Sequence, residues 1–182
     1  MFSLELRGGC LMSLAEELLE HARFLANLDP RVTSQANIRR AISAAYYAVF
    51  HLLAAEVAAQ VSPDSPAGLR ERTQRALDHM QMVKVAKAFS LEGAIRVKDL
   101  PDDIVLPHPV SKELALIGGR FRRLQEERHA ADYDLSKHYD PTDALNQVEE
   151  AEEVFKDWKI ERSSKNATVF LASMMFGKSW NK

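Results

Sequence analysis

An all-α fold, a four- to five-helix up-and-down bundle, is predicted by three observations on the chain. Apolar residues recur at steps of three and four over long stretches, and helix start signals stand at the heads of those stretches. No strand alternation, Asn-Gly hairpin signal or internal repeat competes with them. In chain order, Ser13 and Glu16 have capping-box spacing, and Leu18, Ala22, Leu25 and Leu28 carry a helical stripe to the stop signal Asp29-Pro30. A longer helix is expected from about Gln35 to about Ala59. It is apolar on two sides, through Ile38, Ile42, Ala45, Val49 and Leu52, and through Tyr46, Phe50, Leu53 and Val57. Such a helix belongs at the centre of a bundle, and only the strip Arg40, Ser43, Tyr47 and His51 is polar.

Val61 to Ala67, with Pro63 and Pro66, reads as a loop. Leu69 to about Phe89 reads as one helix with Ala76, Met80 and Val83 inward. From Leu91 to Ser111 the periodicity lapses, and three prolines with Gly93 predict a long irregular connection of the kind that serves as a lid, a binding loop or a disordered link. The fourth helix carries Leu114, Ile117, Phe121, Leu124, Arg128 and Ala131 in one line and ends near Arg128; its Gly118-Gly119 pair either kinks it or permits close packing. Asp140-Pro141 opens the fifth, since aspartate caps well and proline is tolerated at the first helical position. Ala144, Val148, Ala151, Phe155 and Trp158 face inward there, and the acidic run Glu149, Glu150, Glu152 and Glu153 is a solvated face. The organisation expected is an extension over residues 1–11, with Met12 as the natural initiator, a bundle over 12–162, and an apolar tail over 163–182 that docks on the bundle or on a second subunit.

At 182 residues the chain suits one domain able to bury a core without metal or disulfide help. Its 24 basic and 26 acidic side chains give a net charge of -2, so no global pull toward nucleic acid or anionic membrane exists and any such binding is local. The single cysteine, Cys10, excludes an internal disulfide and fits a reducing compartment. The sequence shows neither an apolar run long enough for a bilayer nor the pattern of a signal peptide, and a cytoplasmic protein without membrane association is expected.

The segment Arg128-His129-Ala130-Ala131-Asp132-Tyr133 hangs a dense set of ionisable groups on the end of an otherwise apolar helical face. An arginine there keeps its charge and five donors, so Asp132, Asp134 or a partner molecule must meet it. Taken with Arg40-Ala41-Ile42-Ser43-Ala44-Ala45-Tyr46-Tyr47-Ala48-Val49-Phe50-His51 on the central helix, this segment resembles the HEPN superfamily, over roughly Leu14 to Ile160. The resemblance implies a helical bundle, frequently a homodimer, that binds or cleaves RNA in toxin-antitoxin, defence or RNA-processing systems, in some cases beside a nucleotidyltransferase partner. Active relatives are metal-independent endoribonucleases in which an arginine, a polar residue and, further along, a histidine form the motif. An arginine can hold the phosphate and offset transition-state charge while a histidine moves a proton. Arg128 and His129 fit the start of that motif, but Tyr133 stands where active relatives have histidine. A phenol of pKa about 10 is a poor base near neutrality.

The expected function is therefore binding of RNA, a nucleotide or a nucleotidyltransferase-type partner with a degenerate catalytic motif. An active endoribonuclease and a purely structural helical module are the alternatives. Candidate catalytic residues are Arg128, His129, Tyr133 and His51; candidate binding residues are Arg40, Ser43, Tyr47, Arg123 and Asp132. Arg123 with His129 satisfies the motif spacing in bare form, and His138 is near enough in sequence to join. Arg120, Arg122, Arg123 and Arg128 form a basic cluster diluted by Glu126 and Glu127. No cofactor is expected: Gly118-Gly119 lacks the strand before and helix start after that phosphate loops need, and His129, Asp132 and His138 lack sharp ligand spacing, so no metal is assigned.

Overall fold

The computed structural model describes residues 12–180 except 30, 32, 62, 64, 65 and 99. The extension expected over Met1 to Leu11 and the stop at Pro30 lie outside the described residues. Among those described there are seven helices and no strand: α1 (Leu14–Ala26), α2 (Gln35–Val61), α3 (Ala67–Arg75), α4 (His79–Phe89), α5 (Lys112–Tyr133), α6 (Pro141–Glu161) and α7 (Lys165–Trp180). The all-α bundle is thus what the sequence folds into, with more helices than its periodicity separates.

The starts are fixed by side-chain oxygens that satisfy otherwise orphaned amides. Ser13 and Glu16 form the capping box of α1. Ser111 accepts from Leu114 N at 3.1 Å to open α5, and the Asp143 carboxylate accepts from Asp140 N at 2.7 Å where Pro141 begins α6. α2 packs on α1, α3, α5, α6 and α7, which is why it is apolar on two sides: Ile38, Ile42, Tyr46, Val49, Leu53 and Val57 are all buried. Contrary to the sequence reading, α2 does have the length and composition to cross a membrane, with 27 residues; 72% of its most apolar window is buried inside the bundle, which accounts for that composition.

The stretch Leu69 to Phe89 is two helices rather than one. α3 ends at Arg75, and the carboxylate of Asp78 then caps a new start by accepting from Gln81 N at 2.8 Å. The break resets the register, so Met82, Val85, Ala86 and Phe89 point inward while Ala76 and Met80 are exposed. α5 runs on past Arg128 to Tyr133. At Gly118 the backbone of α4 approaches α5 closely: a Cβ placed there would fall far inside van der Waals distance of Ala86 O, with Ala86 C at 3.3 Å and Ser90 N at 3.4 Å. Close packing, not a kink, is the use of that glycine.

The connection between α4 and α5 is anchored to the bundle. Gly93, at φ +77°, starts a pair of backbone hydrogen bonds, Gly93 N to Val110 O at 2.8 Å and Val110 N to Ala94 O at 2.9 Å, and Val97, Leu106 and Val110 are buried. Its apolar residues have no helical period because each anchors a separate turn. Asn166 of α7 donates to His108 O at 2.9 Å and Pro109 O at 3.1 Å. α7 itself docks on α4 and α2, with Phe170 against Phe89 at 5.2 Å between ring centres, and Lys178 pairs with Asp78 at 2.8 Å. The C-terminal helix therefore holds the start of α4 in place.

Candidate functional site

α2 and α5 cross where their polar residues meet, and the segment read as a charged helix end becomes a connected cluster. Arg128 Nε lies 2.8 Å from Asp132 Oδ2, one turn further along α5. That contact is an ion pair without a hydrogen bond from Nε, whose N–H is aimed off the line to the carboxylate. Asp132 Oδ1 accepts from the buried Ser43 hydroxyl at 2.6 Å, and Arg128 Nη2 donates to the Tyr47 hydroxyl at 2.5 Å. The guanidinium also lies within 5.1 Å of the centre of the Tyr47 ring, 5.9 Å of Tyr46 and 5.8 Å of Tyr133, distances at which a cation is attracted by an aromatic face. Asp132, not Asp134, meets Arg128; Asp134 instead accepts from Ser136 N and Lys137 N in the turn after α5.

Two of the guanidinium nitrogens are thereby fixed. Nη1 makes no hydrogen bond among the described residues and is not one of the fully covered unpaired atoms, so it is the open edge of the group. Beside it the outer rim is aromatic, with Tyr133 65% exposed and its ring 5.0 Å from that of the exposed His129.

His79, which the sequence reading did not single out, joins from α4. Its ring stacks on Phe50 at 4.1 Å with the planes parallel to within 1°, and its Nδ1 is 2.8 Å from the hydroxyl of the fully buried Tyr46. His51 contacts the same phenylalanine edge-on at 5.3 Å. Burial holds the pKa of His51 below the usual histidine value, with a smaller push from His79. Burial also lowers that of His79, as does the Arg128 charge, against an opposing pull from Asp78. Burial pushes the Tyr46 phenol up, so it stays a phenol.

These directions give a pH prediction. A histidine whose folded pKa is depressed takes up its proton later than the unfolded chain does, so its neutral form contributes stability that is present above about pH 6.5 and lost as the pH falls below it. Urea denaturation at pH 7.5 and 5.5 is expected to show a smaller loss in a His51→Gln, His79→Gln double variant than in wild type. Equal losses would remove the two rings from the acid response.

Not all sequence-predicted residues gather here. Arg123 is exposed and bonded to Glu150 of α6 at 2.7 Å, because a residue five positions from Arg128 is turned from it by about 140° around the helix. Its guanidinium is held at α6, apart from the Arg128 cluster. Arg40 is exposed and takes no part in the cluster's hydrogen bonds or ion pairs. His138 sits beside Gln35, 3.4 Å away at the start of α2, roughly 12 Å along the axis from Ser43. The neighbouring arginines are matched by acids. Arg120 pairs with Asp157, Glu150 and Glu153, and Arg122 with Glu126 at 2.6 Å. They line a groove of about 710 Å³ between α5 and α6 in which basic and acidic groups alternate, so it presents no net basic field.

Arg39 has a structural role. Its guanidinium donates to Ala131 O in the last turn of α5 at 2.7 Å and, in the turn that follows, to Asp134 O at 3.0 Å and to Lys137 O, tying the end of α5 to α2. Among the described residues no group of three histidine, cysteine or carboxylate side chains is placed to hold a metal ion. No protein-family model, curated protein or solved structure matches the chain significantly.

Proposed function

We propose that this chain is a HEPN-like binding protein for RNA or a nucleotide, in which Arg128 receives a phosphate and the family's cleavage motif is degenerate. The observation that carries this reading is the open Nη1 edge of an arginine whose other nitrogens are fixed by Asp132 and Tyr47. A preorganised guanidinium loses little freedom when it meets an anion, and its planar fork matches phosphate geometry. The exposed rings of Tyr133 and His129 beside it offer faces on which a base can stack. A toxin-antitoxin, defence or RNA-processing setting, a nucleotidyltransferase-type partner, a homodimer and a cytoplasmic location belong to the same proposal.

Fluorescence anisotropy with a labelled single-stranded RNA tests it. Arg128→Lys keeps the charge but not the fork, and is expected to weaken binding about tenfold with unchanged circular dichroism. Wild-type affinity in that variant would remove Arg128 from the ligand. One observation favours a second reading, a metal-independent endoribonuclease: His79 and His51 supply the imidazoles that Tyr133 does not. Its test is RNA incubated with the protein in excess EDTA, with products examined for 2',3'-cyclic phosphate and 5'-hydroxyl ends. RNA that is bound but left intact retains the first reading and rejects the second.

A further inference from the structure

We propose that His79 is a second anion contact of this site, held by Tyr46 in the tautomer that carries its proton on Nε2, and that the ligand is an oligonucleotide spanning two phosphates rather than a single anion. The inference rests on the phosphate-binding reading of Arg128 and adds a residue and a ligand class to it.

A buried hydroxyl chooses the tautomer. Tyr46 is 0% exposed, so its O–H cannot reach water, and its hydrogen-bond partner among the described residues is His79 Nδ1 at 2.8 Å. If Nδ1 carried the proton and donated to the phenol oxygen, the phenolic hydrogen would be buried with nothing to accept it. That arrangement incurs the full desolvation cost of an unsatisfied buried donor. With the phenol donating to Nδ1, both groups are satisfied and the neutral imidazole must carry its hydrogen on Nε2. Stacking on Phe50 fixes the ring plane, the residue as a whole is exposed, and the one hydrogen bond of the ring among the described residues is at Nδ1, so Nε2–H is the donor assigned to the ligand.

The position of this donor sets the kind of ligand. The Arg128 guanidinium lies 5.1 Å from the Tyr47 ring centre, and His79 lies 6.5 Å from that same ring and 6.2 Å from the Tyr46 ring. Two donors packed against the same pair of tyrosines can each take a phosphate of one strand. The low proton affinity of His79 fits a neutral donor beside a fixed cation. Tyr46 is a positioning residue here: it touches no ligand and acts by choosing which imidazole nitrogen bears the hydrogen.

The test uses full-length protein labelled with 15N in its histidines and a 2'-O-methyl RNA oligonucleotide, which binds without being cleaved. Ring nitrogen couplings of wild type are expected to show the Nε2–H tautomer for His79, with Nε2 shifting on addition of the oligonucleotide and not on addition of inorganic phosphate. Affinity is expected to fall about tenfold in His79→Ala, to recover most of that in His79→Gln, whose amide can donate, and to fall about threefold in Tyr46→Phe, where the tautomers average. A proton on Nδ1 in the free protein, or His79→Ala binding as wild type does, overturns the inference while leaving Arg128 as a phosphate site. An equal response to inorganic phosphate overturns the two-phosphate ligand. Failure of wild type to bind the oligonucleotide at all overturns the phosphate-binding reading itself.

Discussion

Gly118→Ala is expected to destabilise the protein by about 3 kcal/mol, whereas Gly119→Ala, one residue along the same helix, is expected to stabilise it by up to about 1 kcal/mol. The two changes are identical in propensity, since each replaces a helix-interior glycine with the best helix former. They differ in what the new methyl meets. At Gly118 it meets the backbone of α4 at Ala86, a buried residue that cannot swing aside, so α4 and α5 must move apart and open the packing around Met82, Phe89 and Ile117. At Gly119 the nearest atom is Arg123 Nη1 at 3.4 Å, the end of a flexible side chain. Urea denaturation of both variants checks the pair, and similar effects at the two positions would mean that the α4–α5 approach is not set by Gly118. Because α4 carries His79, the Gly118 variant is also expected to lose the Tyr46–His79 hydrogen bond before it loses its helices.

The same glycines show what the chain discloses and what it withholds. Their choice between kink and close approach was open in the sequence, since both need a missing side chain and only the partner helix decides. Helix starts marked by Ser13 and by Asp140-Pro141 were legible because the residues that open a helix stand beside one another in the sequence, whereas the Ser111 cap of α5 sits at the edge of a stretch without helical period. Ser43, Tyr47, Arg128 and Asp132 were legible as a group because each sits in a polar gap on an otherwise apolar face, and polar groups in such places need one another. His79 was not legible. Leu69 to Phe89 has no proline or glycine at its break, so its apolar spacing reads as one continuous helix in a register that puts Met80 inside. The available signal was Asp78, three residues before Gln81, with a cap's chemistry in what looked like a helix interior. Arg39 escaped notice because its partners are backbone carbonyls, which no side-chain pattern announces.

Arg128→Ala is expected to lower stability by about 2 kcal/mol, chiefly through the carboxylate it leaves behind. Asp132 has a side chain only 21% exposed and keeps its hydrogen bond from Ser43, but loses the cation beside it; Tyr47 loses its donor at the same time. A double-mutant cycle separates this cost from any general damage to α5. Asp132→Ala removes the charge from the other side, and Arg128→Ala with Asp132→Ala leaves neither ion stranded, so the double variant is expected to fall short of the sum of the singles by about 1–2 kcal/mol. Additive single effects would show that the pair is not a clamp and that each residue acts through other neighbours. The double variant also separates scaffold from site. No carboxylate is stranded in it, yet no guanidinium remains to meet a phosphate, so RNA affinity should stay at the Arg128→Ala level whatever stability the second change returns. Recovery of binding together with stability would instead assign Arg128 to the fold alone, and would leave the open edge of its guanidinium without a ligand to explain it.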